Sequence, residues 1–134
     1  LIKGGGGALL QEKMVAAASK KLIIIAGHDK LVSQLGVFPL PLEVIPYGWK
    51  QVQRVIETNY NVTVKIRSSG QQSFVTDHGH YILDCYFQQI ADPALLNSEL
   101  NNIPGIVENG LFINMTSMAV IGKPDGSIET LTRS

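Results

Sequence analysis

Short apolar runs broken by glycine and proline set the pattern along this chain. Leu1-Ile2-Lys3 reads as the last residues of a buried strand, Gly4-Gly5-Gly6-Gly7 as a loop, and residues 8–21 as a helix. Leu10, Met14, Ala17, Ala18 and Lys21 recur at helical spacing and are expected to form its packed face, with Lys20 and Lys21 closing the last turn. Glu12 then falls roughly opposite that stripe. Leu22-Ile23-Ile24-Ile25-Ala26 is apolar throughout and rich in β-branched residues, as in a strand buried on both faces. Strand, helix and strand in this order predict a βαβ unit and hence a parallel sheet.

The middle of the chain has a different rhythm. Pro39, Pro41 and Pro46 bracket a strand at Leu42-Glu43-Val44-Ile45, and Trp49, Val52, Val55 and Ile56 form a helical stripe. Val62, Val64 and Ile66 alternate with Thr63 and Lys65, the mark of a half-exposed strand. Phe74-Val75-Thr76 and Tyr81-Ile82-Leu83 flank Asp77-His78-Gly79-His80, a hairpin signal. Asp92-Pro93 starts a second helix through Leu95, Leu96 and Leu100, which stops before Pro104-Gly105. Strand-like segments follow at residues 110–114, 118–121 and 127–131, the last after a Pro124-Asp125-Gly126 turn. The expected architecture is an α/β fold: a parallel-sheet element carrying an inserted α+β, ferredoxin-like subdomain. Residues 1–39 and 108–134 are assigned to the α/β part, and residues 40–107 to a lid or oligomerisation subdomain.

Composition narrows the class. The 134 residues suit one compact domain or two closely packed subdomains. Hydrophobic residues make up 45% of the chain, too many for a disordered segment. Eleven basic side chains balance eleven acidic ones, so the basic excess of a nucleic-acid binder is missing. The longest apolar run, residues 22–26, is too short to cross a membrane, and no secretory signal pattern opens the chain. The single Cys85 has no partner for an intrachain disulfide. A cytoplasmic protein is the expectation.

The glycine loop is the leading site candidate. Glycines let the backbone approach a ligand, and the following helix N-terminus offers free N–H groups to an anion. Lys3 adds a full charge, and Lys30 follows the second strand, which would put both lysines at one sheet edge. Equally, the loop can be a tight turn, Glu12 a solvated first-turn carboxylate and Lys30 an exposed loop residue. The Walker order of a nucleotide loop is missing. His78-Gly79-His80 lacks further ligands at metal spacing, His28 has no sequence partner, and Cys85 reads as a packed thiol. Asn61-Val62-Thr63 and Asn114-Met115-Thr116 are chance glycosylation matches without a secretory route.

Several blocks together resemble ribose-5-phosphate isomerase, type A. They are Ile2-Lys3-Gly4-Gly5-Gly6, Ala8-Leu9, Glu12-Lys13, the run Phe38-Pro39-Leu40-Pro41-Leu42-Glu43-Val44-Ile45-Pro46, and Val75-Thr76-Asp77 with Gly79. Ile82-Leu83-Asp84, Ile103-Pro104-Gly105-Ile106-Val107, Gly110-Leu111-Phe112 and the turn at residues 122–126 continue the match. The resemblance implies a metal- and cofactor-free aldose–ketose isomerase, acting on ribose 5-phosphate and ribulose 5-phosphate through an enediolate. It implies that Glu12 is the general base, that Lys3, Gly4, Gly5 and Gly6 hold sugar oxygens, and that Lys30 helps bind substrate. It also implies a homodimer with a small α+β lid. The family's Ser/Thr-rich phosphate loop and its Asp-Gly-Ala-Asp-Glu motif are not among these residues, and Gly27-His28-Asp29 and Gly7 depart from its common pattern. A non-catalytic sugar-phosphate-binding or oligomerisation module is therefore the competing expectation.

Overall fold

The computed structural model describes residues 1–133. In chain order its elements are α1 (Leu9–Ala18), β1 (Ile23–Gly27), a single 3₁₀ turn (His28–Lys30), β2 (Leu40–Val44) and α2 (Trp49–Tyr60). Next come β3 (Thr63–Ile66), the short strands β4 (Ser68–Ser69) and β5 (Gln72–Ser73), and β6 (Tyr81–Tyr86). The chain continues with α3 (Pro93–Asn101), β7 (Ile106–Asn109), β8 (Met118–Gly122) and β9 (Ile128–Thr132).

Four strands form one antiparallel sheet in the order β3-β6-β2-β7, the ferredoxin-like arrangement expected from the sequence. Alternation along β2 explains its position. Leu40, Leu42 and Val44 point to one face, where Val52 and Ile56 of α2 and Leu96 and Leu100 of α3 complete a buried cluster with Val64, Leu83 and Cys85. α3 begins where the sequence marks it: Asp92 Oδ1 accepts the Leu95 N–H at 3.0 Å, with Pro93 in the first turn. Pro41 and Glu43 point to the opposite face, with Asp84 and Ile82 beside them in register on β6. There the glycine loop and Leu9 of α1 cover them. A Cβ added at Gly4 would lie 2.8 Å from Pro41 Cγ and 2.9 Å from Leu9 Cδ2. Every residue of β2 is buried as a result. Complete burial of Leu9 contributes about 2 kcal/mol.

The second sheet is smaller, in the order β1-β8-β9, with β1 parallel to β8 and β8 antiparallel to β9. It corrects the expected βαβ unit. Residues 1–3 do not lie beside β1. They pair antiparallel with residues 110–112, through Lys3 N–H to Gly110 O at 2.9 Å and Phe112 N–H to Leu1 O at 2.8 Å. The parallel partner of β1 comes from the far end of the chain. Nor is β1 buried on both faces, since Ile23 and Ile25 are exposed. Residues 110–114, expected as a strand, make only the single bridge at Leu111.

Two further expectations are revised. α1 stops at Ala18, capped by Ser19, before Lys20 and Lys21. It is also turned over: its inward face is Leu9, Glu12, Lys13 and Ala16, while Met14, Ala17 and Ala18 face outward. Of the expected hairpin, the turn forms, with Thr76 N–H donating to His80 O at 2.8 Å, but residues 74–76 are not a strand. Arg67 occupies their ladder place, donating its N–H to Ile82 O at 2.8 Å.

Candidate active site

The loop between residues 3 and 9 is a tight turn closed by Gly7 N–H donating to Gly4 O at 3.0 Å. Two of its glycines are required by geometry. Gly4 has φ +113° and no room for a Cβ against Pro41 and Leu9, and Gly7 has φ +85° with its Cα against the Phe74 ring. The turn aims straight into α1, whose first turn has no side-chain cap. Among the described residues, the Gly5 and Gly6 N–H groups have no protein acceptor.

Lys3 and Glu12 meet across this turn. Lys3 Nζ lies 2.9 Å from Glu12 Oε2, each side chain about one-third exposed. The contact is an ion pair by distance, but its angles are not those of a hydrogen bond, so Oε2 has no hydrogen-bond donor although it is shielded from solvent. An exposed pair of this kind adds little to stability. Its significance is chemical: a carboxylate oxygen without a donor beside a positive charge and free N–H groups suits proton transfer next to a developing oxyanion.

The structure brings Lys3, Gly4, Gly5, Gly6 and Glu12 together, but not Lys30. Lys30 is exposed at the end of the 3₁₀ turn after β1 and contacts none of them by ion pair or hydrogen bond among the described residues. His28 is exposed in the same turn. The His78 and His80 rings lie 6.5 Å apart, and His80 Nδ1 lies 2.7 Å from Glu43 Oε2. Glu43 is almost fully buried, and Thr76 Oγ1 donates to the same oxygen at 3.3 Å. Cys85 is buried in the main core, and burial pushes its thiol pKa far up, which fits a packed thiol.

Three contacts escaped the sequence reading. Arg67 grips Asp84 through Nε at 3.0 Å and Nη2 at 2.6 Å, while its Nη1 donates to Gly4 O at 2.9 Å and Gly5 O at 3.2 Å. Lys13 Nζ donates to Glu108 Oε1 at 2.7 Å and Asn109 O at 2.6 Å, tying α1 to β7; desolvation holds its pKa below the ordinary value. Buried Asn109 donates to Asn97 and Asn101 Oδ1 and accepts from Leu111 N–H. The only sequence signal for the first was the carboxylate at Asp84 in an otherwise apolar strand. Direct cross-strand pairing points to Lys65 as its partner, whereas Arg67, two residues on, makes the bond.

Fold and site together define an α/β protein with a ferredoxin-like sheet and a glycine turn that presents a Lys–Glu pair. A family model for ribose 5-phosphate isomerase A (phosphoriboisomerase A) matches residues 1–126, and the chain belongs to this family. The ribose-5-phosphate isomerase A of Gloeobacter violaceus is 55% identical over 106 residues, covering 78% of this chain and 45% of that protein. That of Listeria monocytogenes serotype 4b is 48% identical over 109 residues, covering 81% of this chain and 49% of that protein. Among solved structures, ribose 5-phosphate isomerase from Plasmodium falciparum superposes with a TM-score of 0.95 at 36% identity, over all of this chain and 60% of that one. A D-ribose-5-phosphate isomerase in complex with phospho-erythronic acid gives 0.93 at 34% identity, over 99% of this chain and 58% of that one. The chain spans about half the length of the curated relatives it matches.

Proposed function

We propose that these residues form part of an aldose–ketose isomerase that interconverts ribose 5-phosphate and ribulose 5-phosphate. The observation that carries the reading is the Lys3–Glu12 pair at 2.9 Å beside a glycine turn with free N–H groups. Glu12 removes the proton on C2 of the open-chain aldose, leaving an enediolate; the hydroxyl proton passes from O2 to O1, and Glu12 returns the carbon-bound proton to C1 to form the ketose. Charge that builds on the substrate oxygen is met by Lys3 and by the N–H groups of the loop formed by Gly4, Gly5 and Gly6. Lys30 contributes to substrate binding from the turn after β1. Residues 40–107 serve as a lid and assembly subdomain, and the working particle is a cytoplasmic homodimer. No helix of the described residues is long and apolar enough to cross a membrane. A purely non-catalytic module has less support, because the curated relatives above bear the isomerase name.

The test is isomerisation in D₂O by the full-length protein. Ribulose 5-phosphate should form from ribose 5-phosphate, with solvent deuterium appearing at C1 of the product through exchange on the base. The absence of both turnover and exchange would overturn the reading.

A further inference from the structure

We infer that Arg67 is a positioning residue that sets the direction of the glycine turn's N–H donors, which deepens and rests on the isomerase reading. Its side chain comes from the stretch between β3 and β4, on the sheet face that carries Asp84. The guanidinium is oriented before it reaches the turn: Nε and Nη2 form a two-pronged bond with the Asp84 carboxylate, and both partners are largely buried. The Phe74 ring lies 6.0 Å from the guanidinium carbon and also abuts Gly7. Only Nη1 is left to project, and it donates to the carbonyls of Gly4 and Gly5.

That choice of acceptors has a fixed consequence. Within a planar trans peptide the C=O and the following N–H point in opposite directions. Drawing the Gly4 and Gly5 carbonyls toward Arg67 therefore turns the Gly5 and Gly6 N–H groups away from it, and those are the donors without a protein acceptor. Glycine has few conformational preferences of its own, and the Gly7 N–H bond to Gly4 O fixes only the first carbonyl. A run of four would therefore not hold both carbonyls in this orientation without a further restraint. Arg67, clamped by Asp84, supplies the restraint and hands substrate a pair of aligned donors. Lysine is a poor substitute, because one ammonium cannot reproduce the rigid fork that serves a carboxylate and two carbonyls together.

The experiment compares the full-length protein with Arg67→Lys, and with the double variant Arg67→Met/Asp84→Asn, which leaves no stranded charge if the single Arg67→Met fails to fold. Calorimetric titration with phospho-erythronic acid gives affinity and stoichiometry separately, and steady-state assays give kcat and KM. Both variants should bind with near-normal stoichiometry but about tenfold or more weaker, with kcat reduced by a similar factor and KM changed less. Unchanged affinity with reduced stoichiometry would mean that Arg67 only keeps the protein folded, and would overturn the inference. So would full activity in the double variant. If the unsubstituted protein neither binds nor turns over, the isomerase reading falls and the inference falls with it.

Discussion

Glu12 and Lys3 hold each other at 2.9 Å while keeping about a third of each side chain in contact with solvent, so a substrate can part them at little cost. Glu12→Gln preserves size and hydrogen bonding but removes the base. In the full-length protein turnover should fall about 10²-fold or more while sugar-phosphate affinity changes little. Near-normal turnover in that variant would dismiss Glu12 as the base. Lys3 and Lys30 differ in position and should differ in effect. Lys3 sits against the carboxylate, where the proposed mechanism places the developing charge, so Lys3→Met should lower kcat more than it raises KM. Lys30, exposed after β1, should on replacement by Met mainly raise KM. Steady-state kinetics with the opposite pattern would exchange their roles. The residue types and their spacing were legible in the sequence because the glycine run and helix start are local features. The partners that orient them were not, since Arg67 and Asp84 act through pairing between β3 and β6 that no local pattern encodes.

The same limit operates on whole elements. The element order of the α+β part was readable because α2, α3, β3 and β6 have clean periods, whereas β7 carries no such signal and was not among the expected strands; β2 is the hub that both faces need buried. α1 was read upside down. The rule that the apolar stripe faces inward holds when a helix packs on its apolar side. Here Leu9 and Ala16 pack inward together with Glu12 and Lys13, because that face carries the Lys3–Glu12 contact and the tie to β7. The inversion yields a direct test in the 134-residue chain. Met14→Gln, on the outward face, should alter unfolding free energy by less than about 0.5 kcal/mol. Leu9→Ala should cost about 3 kcal/mol, since it empties a fully buried site between α1 and Pro41. Denaturant titrations giving Met14→Gln the larger loss would restore the original orientation. Gly4→Ala should be at least as damaging as Leu9→Ala, combining a positive φ with contacts too short for a methyl group.

At the scale of the molecule, the four-stranded sheet is covered on both faces at β2, while β1 of the three-stranded sheet is open. β1 lies at the edge of its sheet among the described residues, with Ile25 82% and Ile23 51% exposed, and Val37 and Phe38 are exposed in the connection that follows. A strand that was read as doubly buried is instead open to contact, which its composition could not reveal because burial depends on what packs against it. A bare edge beside exposed β-branched side chains favours pairing with another chain. The 134-residue chain alone should therefore associate, and light scattering should report a dimer or larger particle. Ile25→Lys places a charge in the middle of that strand and should shift the distribution toward monomer without unfolding the four-stranded sheet. Activity should not accompany association. Glu12 and Lys3 are present, but the family resemblance assigns phosphate contacts and acidic side chains to a Ser/Thr-rich loop and an Asp-Gly-Ala-Asp-Glu motif that are not among these residues. On the isomerase reading, a sugar without an anchored phosphate would not be held against Glu12, and the gain from positioning, up to about 7–11 kcal/mol in favourable cases, would be largely lost. A coupled isomerase assay on the chain alone should show negligible turnover. Activity near that of a full-length relative, from a clean monomer, would mean that these 134 residues hold a complete site.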